Sequence, residues 1–350
     1  MHLKHIVCSL LLYISSASLM LAQAIDLNPD HPDSYTVVTA DTLWDISSKF
    51  LSDPWLWPEI WHVNPAIKNP HLIYPGDVIR LGFIDGKPVL SLERGVPTIK
   101  LSPNKRATPI DQAIATIPLS VIEQFLIRPR VLSQEDIDNA AYIVASEDGR
   151  LVSGAGSKLY ARELDTSGSD LFSLYHIGDP YIDPSAKKKK DALLGYEAIH
   201  VADVKLEREG DPSTLLITYS KREALIGDRV LPREDSSFDQ NFIPRAPDGD
   251  VTGQIIHVVD GVSRIGQYQV VVLNVGEEDG IEAGHVMTIS QAGAEVRDTI
   301  KGKGNETIKL PDEEVGTLMV FRPYEKVSYA LIMKALRDIR LFDTVSTPEY

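Results

Sequence analysis

The stretch Tyr35-Thr36-Val37-Val38-Thr39-Ala40-Asp41-Thr42-Leu43-Trp44-Asp45-Ile46-Ser47-Ser48-Lys49-Phe50 changes its period half-way along. Tyr35 to Val38 is a short β-branched run, the composition of a strand. From Thr42 onward the spacing is helical, with Leu43, Ile46 and Phe50 on one face. Thr42 and Asp45, three residues apart, have capping-box spacing, in which each side chain answers the other's backbone N–H at a helix start. A strand therefore runs almost directly into a capped helix.

Reading outward, Asp53-Pro54 and Trp57-Pro58 are further helix starts, with proline at the first helical position. Glu59-Ile60-Trp61-His62-Val63-Asn64 reads as a second helix that stops before Pro65. Ile67-Lys68-Asn69-Pro70-His71-Leu72-Ile73 is a loop, Tyr74-Pro75-Gly76-Asp77 a turn, and Val78-Ile79-Arg80-Leu81 a closing strand. The order is β-α-α-β. All four tryptophans (Trp44, Trp55, Trp57, Trp61) fall in this segment. Trp44 and Trp61 are expected in its core. For Trp55 and Trp57, core packing and stacking on a sugar both fit the sequence.

The framework Tyr35-Thr36-Val37-Val38, Asp41-Thr42-Leu43-Trp44, Asn64-Pro65, and Asn69-Pro70 through Leu72-Ile73-Tyr74-Pro75-Gly76-Asp77 resembles the lysin-motif (LysM) family over residues 35–82. It departs from the family in the inserted Asp53-Pro54-Trp55-Leu56-Trp57 and in Ala40, where the family usually has glycine. The resemblance implies a βααβ domain that binds N-acetylglucosamine-containing glycans such as peptidoglycan. It also implies a groove with Asp41, Thr42 and Leu43 on one wall and Asn69, Pro70, His71, Leu72 and Ile73 on the other. A shallow groove of backbone donors flanked by Leu and Ile suits a pyranose carrying an N-acetyl group.

Residues 1–24 read as a secretory signal peptide. Lys4 supplies the basic start, an apolar run from Ile6 to Leu21 follows, and Ala22-Gln23-Ala24 is the cleavage site. The only cysteine, Cys8, lies inside it. Cleavage after Ala24 leaves a periplasmic chain with no thiol, so neither disulfides nor thiolate catalysis are expected. Lys+Arg number 35 against 50 Asp+Glu, a net charge of −15. So acidic a chain is ill-suited to nucleic acid, which needs clustered cations.

Prolines and glycines over 82–118 mark a connector, expected to act as a semi-extended tether, and 83–140 as a whole reads as linker with short helices over 119–126 and 133–141. A short strand over 98–101 is also expected. From 141 to 350 the signal is mainly β, in small barrels or sandwich-like subdomains divided near residue 250. Strands are expected at 142–145, 158–161, 198–201, 215–218, 253–259 and 269–273, and one helix over 329–336. A weak echo links Gly195 to Val201 and Asp228-Arg229-Val230 with Gly316 to Phe321 and Asp343-Thr344-Val345. Two related subdomains or a shared turn grammar would both produce it.

Signal peptide, single tryptophan-rich module, Ala115-Thr116-Ile117-Pro118-Leu119 in a Pro-rich connector, and Gly195-Tyr196-Glu197-Ala198 in a cysteine-free β region together resemble the secretin-associated TsaP family of type IV pili. The C-terminal region is similar to the flagellar protein FlgT. The resemblance implies a periplasmic protein tying an outer-membrane secretin to peptidoglycan.

No catalytic pattern emerges. His-x-His and His-x-x-x-Asp of zinc endopeptidases are missing, as is the Glu-Ser pair of lytic transglycosylases. His200 with Asp203 and His257 with Asp260 have the wrong spacing for metal. Gly154-Ala155-Gly156-Ser157-Lys158 lacks the order of a phosphate loop, so no nucleotide is expected. Lys187-Lys188-Lys189-Lys190 is a solvated loop. The sequence therefore predicts a non-enzymatic wall-binding adaptor without cofactor or metal. A cell-wall hydrolase or hydrolase activator, and an adaptor for a flagellar or secretion assembly, are the alternatives.

Overall fold

The computed structural model describes residues 25–61, 73–93, 115–118, 122, 130–147, 149, 151–188, 192–233, 242–259, 265–297 and 307–349. The expected signal peptide, the loop residues Asn69, Pro70, His71 and Leu72, the strand expected over 98–101 and all of 119–126 except Ile122 lie outside them.

In the N-terminal module, β1 (Ser34–Thr36) pairs antiparallel with β2 (Val78–Ile84), Tyr35 opposite Ile79. Helix α1 (Leu43–Phe50) carries the expected capping box. The insertion forms a 3₁₀ turn (Pro54–Leu56) leading into α2 (Trp57–Trp61), which starts two residues before the expected Glu59. The sheet does not end at Leu81. β2 runs on and returns through Asp85-Gly86 into β3 (Lys87–Glu93). Both turn residues have positive φ (50° and 79°), as a two-residue hairpin whose twist matches its strands requires. Pro88, which reads as linker, is tolerated because β3 is an edge strand.

The next unit begins with β4 (Arg130–Leu132) and α3 (Gln134–Asn139), the short helix expected here, capped by Ser133 and Asp136. There follow β5 (Ala141–Ser146), β6 (Val152–Ser153), β7 (Lys158–Arg162), β8 (Leu171–Ile182), β9 (Leu193–Arg208), β10 (Ser213–Ser220), β11 (Ala224–Leu225) and β12 (Arg229–Pro232). The sheet order is β10-β7-β5-β12-β8-β9-β4, and β10 also pairs with β9. Six strands therefore close into a ring, with β4 attached outside β9. The last unit is a closed barrel of β13 (Thr252–Val258), β14 (Val270–Leu273), β15 (Val286–Gln291), β18 (Glu313–Pro323), β19 (Ser328–Ala335) and β20 (Thr344–Ser346). β16 (Glu295–Arg297) and β17 (Thr307–Lys309) form a side hairpin. Numbered within each barrel, both rings run 1-2-5-4-3-6, every pair antiparallel. The echo segments lie on equivalent strands, β9 with β18 and β12 with β20.

The helix expected over 329–336 is instead β19. Residues 328–333 are buried on both faces, so the apolar run lacks the alternation that marks a strand, and periodicity alone does not separate it from a helix. Inward, Val271, Leu273, Leu318, Val320, Ala330 and Ile332 fill the barrel. Outward, Val270, Val272, Met319, Phe321, Leu331 and Met333 join the cluster that contains Trp44, Phe50 and Trp61. Each such side chain gains about 1.5–3 kcal/mol by leaving water. This outer face explains why the module is not held away on a tether: an apolar barrel wall needs a cover, and the module supplies it. Tyr268 Oη donates to Asp45 Oδ1 at 3.1 Å across the seam. The long β8 also reaches it, with Tyr181 Oη 3.1 Å from Tyr329 Oη and Asp183 Oδ1 accepting from Asn274 Nδ2 at 2.9 Å.

One turn recurs. At Asp41, Asp77, Asp228 and Asp343 the carboxylate accepts from the N–H three residues earlier, at 2.8, 3.0, 2.8 and 2.8 Å. The residue just before each aspartate has positive φ: Ala40 76°, Gly76 95°, Gly227 93° and Phe342 71°.

Candidate glycan-binding site

The segment expected as the first wall is built from that turn. Asp41 Oδ2 accepts from Val38 N at 2.8 Å and from Tyr35 Oη at 3.0 Å, fixing the loop between β1 and α1. Partial burial, and then the bond to Asp41, raise the Tyr35 hydroxyl above its ordinary pKa. Alanine at position 40 must hold a left-handed conformation that costs a non-glycine residue roughly 1–2 kcal/mol. Thr42 Oγ1 accepts from Asp45 N at 3.1 Å and donates to Asp45 Oδ2 at 2.7 Å. Its hydroxyl is thus committed to the cap. Leu43 is 2% exposed, its side chain in the core and its N–H at the start of α1.

The structure places Asp41, Thr42 and Leu43, expected as one wall, on a single segment that runs from the turn into the start of α1. Ile73, expected on the other wall, is fully buried. Asn69, Pro70, His71 and Leu72 lie outside the described residues. Trp55 and Trp57 are 6% and 2% exposed, so both are core residues with no ring face open to a sugar. The 3₁₀ turn that begins at Pro54 folds the inserted indoles inward, where burying aromatic area outweighs any gain from exposing it.

Residues 35–82 match the LysM domain family. LysM domains bind N-acetylglucosamine-containing glycans such as peptidoglycan and are not catalytic. A 60-residue stretch is 38% identical to an uncharacterized protein of Bacillus subtilis (strain 168), YqbP, covering 14% of this chain and 27% of that protein. The chain thus spans about a quarter of the length of the curated relative it matches. Beyond the LysM domain the chain is mainly β, with the barrels described above and few short helices.

A cleft of about 390 Å³, of mixed polar and apolar lining, opens on another face of α1, where the LysM domain meets the second barrel. Asn28, Asp45, Ser48, Gln267, Met333 and Lys334 line it. Sequence reasoning could not find it, because its two sides are more than two hundred residues apart. At its edge, burial first and the Asp45 carboxylate second push the Tyr268 pKa up to about 12, so this hydroxyl stays a neutral donor.

Elsewhere, His200 Nε2 lies 2.8 Å from Asp203 Oδ1, and Ser173 Oγ donates to the same oxygen at 3.0 Å. The carboxylate stands between imidazole and hydroxyl, whereas nucleophile activation needs the imidazole on the hydroxyl. Ser173 is also buried. This is a structural cluster. Among the described residues no group of three His, Cys, Asp or Glu side chains could hold a metal ion. Among them, too, no helix is long and apolar enough to cross a membrane.

Proposed function

We propose that this protein is a non-enzymatic, peptidoglycan-associated protein of the periplasm, exported by a signal peptide cleaved after Ala24. Its LysM domain holds the wall, and its two barrels hold an outer-membrane secretin, of the type IV pilus kind, or a similar envelope machine. The observation that carries the reading is the LysM match over 35–82; Asp41, Thr42 and Leu43 are the first wall of the groove in this reading. The expected second wall is Asn69, Pro70, His71, Leu72 and Ile73. Support for a protein-binding body comes from the duplicated barrel, two closed β units built alike beyond the LysM domain.

The test is sedimentation of the mature chain, residues 25–350, with purified peptidoglycan sacculi. The protein should pellet, and soluble N-acetylglucosamine oligomers should release it. A chain that stays in the supernatant with excess sacculi overturns the wall-binding reading. Cross-linking in envelope preparations should recover a secretin; recovery of flagellar or secretion components in its place would reassign the partner. A clearing zone on peptidoglycan zymography would replace the anchor by a cell-wall hydrolase.

A further inference from the structure

A helix leaves its first four amides without intrahelical partners. In α1 these are the amides of Thr42, Leu43, Trp44 and Asp45; that of Thr42 donates to Asp45 Oδ2 at 3.3 Å, and that of Asp45 to Thr42 Oγ1 at 3.1 Å. The two remaining amides belong to Leu43, of the proposed first wall, and to Trp44, the residue after it. They do not face solvent. Leu43 N donates to Ala115 O at 2.9 Å and Trp44 N to Thr116 O at 3.1 Å. Residues 115–118 lie outside the LysM match, yet Thr116 and Ile117 are 1% and 0% exposed. Ile117 belongs to the same apolar cluster as Leu43, Trp44 and Ile46.

The acetamide of N-acetylglucosamine presents a secondary-amide carbonyl, the same acceptor as a peptide carbonyl. At this wall the chain already supplies two such carbonyls, aimed at the two amides the cap leaves over. The docking is also imperfect. Thr116 Oγ1 is buried with no hydrogen-bond partner among the described residues, a loss that leaving the wall would relieve.

We infer that residues 115–118 are a built-in competitor of the glycan, occupying the Leu43 and Trp44 amides until an N-acetylated polysaccharide displaces them. The inference rests on the glycan-binding reading above. The measured affinity is then the intrinsic one scaled by the fraction of molecules whose segment is off the wall. Loosening the segment raises affinity without altering any wall residue. Ile117 is the position to change, because it anchors the segment and belongs to neither wall.

The experiment titrates the hexamer of N-acetylglucosamine into the mature chain, residues 25–350, by calorimetry. The proteins are wild type, Ile117→Ala and Ile117→Asp, each checked for fold by circular dichroism and melting. Affinity should rise in that order, by about tenfold or more for the aspartate, as expected if most molecules hold the segment docked. Ile117→Ala keeps the test valid should the aspartate variant not fold. Without sugar, hydrogen exchange at the Leu43 and Trp44 amides should be slow in wild type and faster in the variants. Equal or weaker binding by both variants overturns the inference and leaves the glycan reading standing; weaker binding would mean that the segment completes the site. Rapid exchange of both amides in wild type also overturns it. If none of the three proteins binds, the glycan reading itself falls, and the inference with it.

Discussion

The two barrels share a ring order and differ in what lies outside the ring. In the first, the fifth strand β10 turns Leu215 and Ile217 inward and Leu216 and Thr218 outward, and Thr218 is exposed. In the second, the equivalent β19 turns Ala330 and Ile332 inward and Leu331 and Met333 outward, and all four are buried. The second strands repeat the contrast: β7 alternates, whereas every residue of β14 is buried. Connectivity therefore belongs to the fold, while the outer surface belongs to the neighbour. A barrel that serves as a docking wall is apolar on both faces; one that faces water keeps the polar alternation.

The largest effect should come from one substitution made in both barrels. Leu331→Ala removes a side chain buried in the seam with the LysM domain and should cost about 2–5 kcal/mol. Leu216→Ala, half-buried on the outer face of the first barrel, should cost no more than about 1 kcal/mol. Chemical denaturation of the two variants measures the gap. Equal losses would mean that the seam contributes nothing.

Next come the paired turns. Asp228, 2% exposed, accepts from Leu225 N and lies 3.0 Å from His176 Nδ1. Asp228→Ala takes the acceptor from the Leu225 amide and the His176 imidazole, both partly exposed, and should cost about 1–1.5 kcal/mol. Burial raises the Asp343 pKa, so its contribution is fullest at low pH and is lost as pH rises through the folded-state value. Asp343→Asn should therefore be nearly neutral at pH 7 and lose ground to wild type as pH falls, in denaturation curves taken at both ends.

A smaller effect lies one residue earlier. The first barrel places Gly227 in the left-handed conformation, whereas the second places Phe342 there, 54% exposed. Phe342→Gly should raise the melting temperature, by up to about 1 kcal/mol of relieved backbone strain. Gly227→Ala should lower it by a similar amount.

The smallest is a pH dependence confined to the second barrel. His285 Nδ1 accepts from Glu282 N at 3.0 Å, and burial, then Arg245, lower its pKa. The unfolded chain binds the extra proton first, so this contribution is full above about pH 6.5 and is lost as pH falls. The first barrel enters its third strand through Ser169, whose hydroxyl accepts from Leu171 N and does not titrate in this range. His285→Asn should flatten the melting-temperature profile between pH 5 and pH 7, as thermal scans across that range would show.

The LysM domain was legible because its signals are local: a capping box, prolines at helix starts and clustered indoles. β3 was hidden by Pro88, which an edge strand accommodates. β19 read as helix because its outward residues anticipate a neighbour that lies far away in the chain. The Asp-x-Val echo combined two causes. Its turn also occurs at Asp77 within the LysM domain, and so is general turn grammar. The shared ring order is independent of the turn and shows that the two β units are built alike. At the site, the capped turn over 41–45 followed from the sequence pattern. The contact by residues 115–118 did not, since four residues without periodicity announce no partner.

Asp45 and Tyr268, which meet across the seam, are 223 residues apart. The apolar flank of the LysM domain is therefore made first and its cover last. At about 5–20 residues per second, that flank waits roughly 10 to 45 s on the ribosome for the strands that will bury it. During that interval it is a binding surface for chaperones and a starting point for aggregation. A chain cut short before β14 would remain in that condition permanently.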